Sequence, residues 1–214
     1  MTGLIRKATL LAACGLMIAA AVSAGVPDKN SSTFPSYVRL VGAASGVPDT
    51  TDGRFLVIVR DVGGNPLGGV FVKADFSACT ADTKIASNQL NVNYTTDCTG
   101  HTVGAYTDIT GSVYLTLLGN SFGAAVNHLG CATLYAGAVS FGGITANEFD
   151  LDGGGGQNTN DISIGLGDLA IHPVPAFGRS DFDQNGTLSA NDTSIALGVL
   201  AGHRIGTPTP AVCP

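Results

Sequence analysis

The chain has 214 residues, a formal net charge of −6, 30 Gly, no Trp, and 16 acids of which only Glu148 is a glutamate. Glu and Lys populate the wet faces of long helices, whereas Asp and Gly favour turns, caps and oxygen-ligand loops, so the composition disfavours a helical bundle or coiled coil. The 44% apolar and 12% charged content supplies a core and argues against disorder, and the acidity argues against nucleic acid or an anionic membrane as the main partner.

Residues 1–24 read as an export signal. Arg6 and Lys7 precede an apolar stretch over 8–22, and Val22, Ser23 and Ala24 suit cleavage after Ala24. The rival reading is a lipobox over 11–14 with Cys14 at the mature terminus. The stretch is shorter than the roughly 20 residues a membrane span needs, so no transmembrane segment is expected in the mature chain. Residues 25–33 read as a linker.

Cys79, Cys98, Cys131 and Cys213 remain after signal removal, an even count that suggests two disulfides in an exported chain. Three pairings are open; the expected one joins Cys79 to Cys98 and Cys131 to Cys213, the first closing a short loop. Their spacings do not match the close pairs of a zinc site.

Over 34–147 short apolar runs alternate with turn signals, the pattern of an all-β sandwich. FLVIVRD (55–61) and VFVKADF (70–76) flank GGNPLGG and are expected to form a hairpin. TVGAYTD (102–108) and SVYLTLL (112–118) form a second pair, and CATLYA with VSFGGITANEF completes the series. The stretch 77–100 carries two cysteines and little periodicity, so a long loop or irregular edge is expected there.

The residues RDVGGNPLGGVFV (60–72), followed by YTDITGSVYL (106–115), resemble bacterial immunoglobulin-like modules of the invasin and intimin type. The resemblance covers two hairpins, about a third of the domain, and implies an immunoglobulin-like β-sandwich serving as a rigid extracellular spacer or adhesive domain, without chemistry of its own.

The strongest signal is an internal repeat. At an offset of 31, EFDLDGGGGQNTNDISIGLGDLAIH (148–172) aligns with RSDFDQNGTLSANDTSIALGVLAGH (179–203) without a gap, and 12 of 25 positions are identical. Repeats this close mean a duplicated unit. Each copy places Asp, then Asp two residues on, Gly five on and Asp eleven on, a loop able to wrap a hard cation such as Ca2+ in oxygen ligands. In the first copy the ligands expected are Asp150, Asp152 and Asp161, with the Gly156 carbonyl and Asn158 holding a water; Gly154 takes the place of a side-chain ligand, so weaker binding is expected there. In the second they are Asp181, Asp183, Asn185, Asp192 and the Thr187 carbonyl, with Ser189 acting through water. The alternative is a pair of helices merely capped by Asp, which accounts for one Asp per helix but not for the repeated spacing.

One short helix follows each loop, over 160–170 and 191–201. Two such loop-helix units with Asp as last ligand resemble the dockerin fold, so the fold class expected is mainly β, with a small C-terminal α domain over 148–214. The resemblance implies Ca2+ as cofactor and docking to a cohesin-like domain of another protein or to a cell-surface component. Carried over by position, the partner contacts would be Thr159, Asn160, Ala190 and Asn191. An intramolecular use, the repeat packing on the sandwich, is equally open.

No nucleophile elbow, zincin motif or phosphate-binding loop is present, and one Glu leaves few candidates for a carboxylate pair, so no enzyme is expected. His172 and His203 occupy equivalent repeat positions and read as helix-end residues, and His101 and His128 lack metal-like spacing. The absence of Trp disfavours sugar platforms. The reading is a secreted, non-catalytic, calcium-binding assembly or adhesion protein; the runner-up is an accessory or carbohydrate-binding subunit of an exported polysaccharide-degrading complex.

Overall fold

The computed structural model describes residues 25–121, 130–171, 178–202 and 211–214. The signal reading over 1–24 and the residues His128, His172 and His203 lie outside the described residues.

The described chain is mainly β with two helices. Its strands are β1 (Tyr37–Val41), β2 (Ala43–Ala44), β3 (Val47–Pro48), β4 (Arg54–Ile58), β5 (Phe71–Asp75), β6 (Thr83–Ile85), β7 (Thr95–Asp97), β8 (Thr102–Tyr106), β9 (Ser112–Ser121), β10 (Ala132–Ala136) and β11 (Val139–Glu148). The helices are α1 (Thr159–Ile171) and α2 (Ala190–Ala201). An open mixed sheet runs in the order β4-β9-β1-β11-β10-β5-β8-β7, with β6 also on β9. β1 lies parallel to both β9 and β11, between two long strands that come much later in the chain.

Alternation drives the first core. Val72 and Ala74 of β5, Val103 and Ala105 of β8, and Leu134 and Ala136 of β10 point inward and meet Val57 of β4 with Leu115 and Leu117 of β9. Because strands from both ends of the path share this cluster, the sheet bends around it. Gly104 permits the approach of β8 to β5: a Cβ there would lie 2.2 Å from the Val72 carbonyl oxygen.

Both expected hairpins give way to crossings. β4 pairs with β9, and β5 with β8 and β10, so the 55–61 and 70–76 runs are not partners. The GGNPLGG turn closes locally, with Leu67 N–H donating to Val59 O and Asn65 N–H to the Asp61 carboxylate, and the chain then crosses the core. The 107–111 turn does the same between β8 and β9, with Ser112 N–H donating to Asp108. Turn residues specify a reversal but not whether the two arms share a ladder; the inward apolar face of each arm decides that. Thr107 Oγ1 ties the turns together, donating to Leu67 O at 2.7 Å and accepting from Val70 N–H at 3.0 Å. The CATLYA and VSFGGITANEF runs do pair, as the antiparallel β10–β11 hairpin.

The 77–100 stretch holds a short 3-10 helix (Ser77–Cys79), β6 and the edge strand β7. The 25–33 segment is not a free linker: Asp28 N–H donates to Arg60 O, and Thr33 and Ile58 exchange backbone bonds along β4.

The disulfides differ from the expected pairing. Cys79 joins Cys131 and Cys98 joins Cys213, with Cα–Cα distances of 5.4 and 5.0 Å. Sequence proximity favours Cys79 with Cys98, but the fold sets Cys79 against the start of β10. It also brings the tail to β6, where Cys213 N–H donates to Ile85 O and Ala86 bridges Val212. The second disulfide spans 115 residues and thereby encloses both helices.

A second core joins helices to sheet. Val41, Ala43, Ala86 and Leu118 from the sheet pack with Phe149, Phe182, Ala196 and Val199, and the Phe149 and Phe182 rings stack at 4.8 Å. Leu118 thus explains why β9 loses its alternation: its far end is covered on both faces.

Two outcomes are expected. Peptide mapping without reduction recovers the 79–131 and 98–213 links, whose separations of 52 and 115 residues correspond to about 4 and 5 kcal/mol of loop entropy. Phe182→Ala lowers unfolding free energy by about 3–5 kcal/mol in denaturant titration.

Candidate metal centres

The two acidic loops sit where the sheet ends. Ser121 N–H at the end of β9 donates to Asp150 O at 2.8 Å, which holds the first loop. Asn147 of β11 holds the second, donating to Asp181 O at 2.9 Å and to Gly178 O, and accepting from Gln184 Nε2 at 2.5 Å. Arg39 of β1 donates to Phe182 O. Behind them, Arg179 makes a buried two-pronged pair with Asp168 of α1 at 2.7 and 2.9 Å, and Ser180 Oγ donates to the same carboxylate.

Each loop gathers its three aspartates. Ligand oxygens of Asp150, Asp152 and Asp161 lie within 4.8 Å of one another, as do those of Asp181, Asp183 and Asp192, and each group could hold a metal ion. In each group the first and last carboxylates are buried and the middle one is half-buried.

Three backbone bonds to the aspartates recur at matched positions of the two loops. Gly155 N–H donates to Asp150 at 3.1 Å as Gly186 N–H does to Asp181 at 3.0 Å. Asp152 N–H donates to Asp161 at 3.1 Å as Asp183 N–H does to Asp192 at 3.1 Å. Asn158 N–H donates to Asp161 at 2.6 Å, and Ser189 N–H to Asp192 at 2.9 Å. Gly155 and Gly186 both turn with positive φ, 93° and 79°, which is the sharp bend the spacing anticipates.

Several residues have local roles. Asn160 and Asn191, read as partner contacts, each donate an amide N–H at 2.6 Å to the middle aspartate, Asp152 or Asp183. Both side chains are exposed, as are Thr159 and Ala190, so all four lie on an accessible face. Ser189 is the N-cap of α2 in a capping box with Asp192. Asn158 Nδ2 donates to Gly156 O, and its Oδ1 accepts from Asn160 N–H. Asn185 donates to Asp183 and accepts from Thr187 N–H. At the corresponding Gly154 the space is filled by Asp152, whose carboxylate would lie 2.6 Å from a Cβ and accepts Gly154 N–H at 2.7 Å. The first loop therefore has one fewer oxygen to offer. The anchors Asn147, Gln184 and Arg39 carry no repeat signal; Asn160 and Asn191 do, being identical at matched positions.

The electrostatics separate the carboxylates. Burial raises Asp150, Asp161 and Asp181, and carries Asp161 to about 6. The amides of Asn160 and Asn191 hold Asp152 and Asp183 below the usual range. Asp181 Oδ1 is buried and has no hydrogen-bond partner. An all-oxygen donor set with a buried, unsatisfied carboxylate oxygen suits a hard divalent cation.

No protein-family model matches the chain, and no curated protein or solved structure does.

Because the folded state holds the Asp161 proton more tightly than the unfolded chain, the metal-free protein gains stability as pH falls through about 6 towards the ordinary carboxylate range. A cation must displace that proton, so its affinity falls over the same window; titrations at neutral and mildly acidic pH measure both trends. Asp181→Asn is expected to weaken cation binding by at least about tenfold in calorimetry. The same change leaves the metal-free melting temperature equal or higher, since it removes a buried charge.

Proposed function

We propose that the chain is a secreted, non-catalytic calcium-binding assembly or adhesion protein. In this reading an immunoglobulin-like β region serves as scaffold, and a dockerin-like repeat binds Ca2+ and is braced against it. The carrying observation is the pair of matched aspartate triads, one with a buried carboxylate oxygen that no protein donor meets. Ca2+ supplies positive charge and accepts six to eight oxygen ligands, and Asp181, Asp183, Asn185 and Asp192 with the Thr187 carbonyl would hold it in the second loop.

The second apolar core favours the bracing role over a free docking plug. Phe149 and Phe182 enter the loops and stack beside Leu118, so ordering the loops orders the contact with the sheet. Two disulfides fit a non-reducing compartment, and no helix among the described residues is long and apolar enough to cross a membrane. The exposed helix starts at Thr159, Asn160, Ala190 and Asn191 leave room for a cohesin-like partner.

Millimolar Ca2+ acting on a micromolar site stabilises by about 4 kcal/mol, which raises the melting temperature of a chain this long by about 10 °C. Thermal melts in calcium and in EDTA test the reading, and an unchanged transition defeats it. Pull-down with cohesin-like domains separates the roles: calcium-dependent capture indicates docking, and calcium stabilisation without capture indicates bracing alone.

A further inference from the structure

We infer that the cleft between β8 and β9 is a binding site for a neutral saccharide. The two strands are joined by the 107–111 turn yet share no ladder, and the gap they leave is a cleft of about 390 Å³, within the size range of small-molecule sites. It is lined by Tyr94, Tyr106 and Tyr114 with Asn91, Asn93 and Asp108. Three of the chain's five tyrosines therefore meet at one place.

Two of these rings face water at a cost. Tyr106 is 64% exposed and Tyr114 52% exposed, while most aromatic side chains of the described β region are turned inward or half-buried. Each ring is supported from one side: Tyr106 by Phe71 at 5.0 Å between centroids, and Tyr114 by the Arg54 guanidinium 3.8 Å from its centroid. Tyr94 is fixed by its phenol, which donates to Tyr114 O at 3.2 Å and accepts from Thr116 N–H at 2.9 Å. The aromatic wall is thus ordered in advance, which lowers the entropic cost of binding.

The same bonds select the ligand class. A free β-strand edge invites an extended peptide. Here the edge of β9 is occupied: Ser112 exchanges backbone and side-chain bonds with Asp108, and Tyr94 takes Tyr114 O and Thr116 N–H. What remains is ring faces beside amides and a carboxylate, which suits a ligand with apolar C–H faces and a rim of hydroxyls. Thr110 and Ser112 hold the Asp108 carboxyl below its usual range, so it stays charged and can accept hydrogen bonds from hydroxyls. With a net charge of −6, the chain disfavours acidic sugars.

The site lies on the β region and does not depend on the metal loops. Titration of the full chain in calcium buffer with neutral gluco-, xylo-, manno- and chito-oligosaccharides is expected to give saturable heat with at least one. Tyr106→Ala and Tyr114→Ala are each expected to weaken that binding by about tenfold, as loss of an anchoring aromatic does, with unchanged melting temperature. Tyr135→Ala, outside the cleft lining, leaves it unchanged. Absence of saturable binding across the panel overturns the inference, as does binding that survives both cleft variants, or capture of extended peptides in place of glycans.

Discussion

Three carboxylates drawn together in each loop set the terms for the rest of the molecule. Two unit charges 4.8 Å apart repel by about 3.5 kcal/mol at the effective dielectric of a protein surface, and each loop contains three such pairs. Backbone N–H groups from the glycine-rich bends and the amides of Asn160 and Asn191 absorb part of this. Asp181 Oδ1 receives none of it. The loops nevertheless stand at the seam between helices and sheet, so whatever neutralises them also governs how the two halves fit.

That seam is built from both sides. Ser121, Asn147 and Arg39 reach from three adjacent strands to the backbone of the loops, and Phe149 and Phe182 reach back into the apolar layer over Leu118 and Val41. The buried Asp168–Arg179 pair ties α1 to the start of the second loop. Finally the tail returns to β6 and is fixed through Cys213 to Cys98, so the helices lie inside a covalent loop anchored on the sheet at each end. These connections fix the repeat to the sheet from several sides.

The β region, for its part, is a scaffold whose turns expose more than they first suggest. The Asp61 and Asp108 turns cross the core rather than closing hairpins, and the second crossing opens the tyrosine-lined cleft. The acidic loops at the helical seam and the tyrosine-lined cleft between β8 and β9 are therefore separate features on one sheet.

The sequence by itself determined the elements whose information is local. An aspartate spacing repeated at an offset of 31 fixes which oxygens can meet one ion, because a twelve-residue loop brings its own ends together; both triads form as that spacing requires. Likewise short apolar runs marked β5, β8 and β10, and tight turn chemistry marked the reversals at Asp61 and Asp108. Tertiary structure decided everything that depends on which distant surfaces meet. It placed β1 in parallel between β9 and β11, paired Cys79 with Cys131 across 52 residues in preference to a nearer cysteine, and turned two expected hairpins into crossings. It also collected Tyr94, Tyr106 and Tyr114, which are scattered in the chain and carry no shared motif. Turn residues encode a change of direction within a few bonds, whereas strand partners, disulfide partners and clefts are chosen by burial of apolar faces over the whole chain.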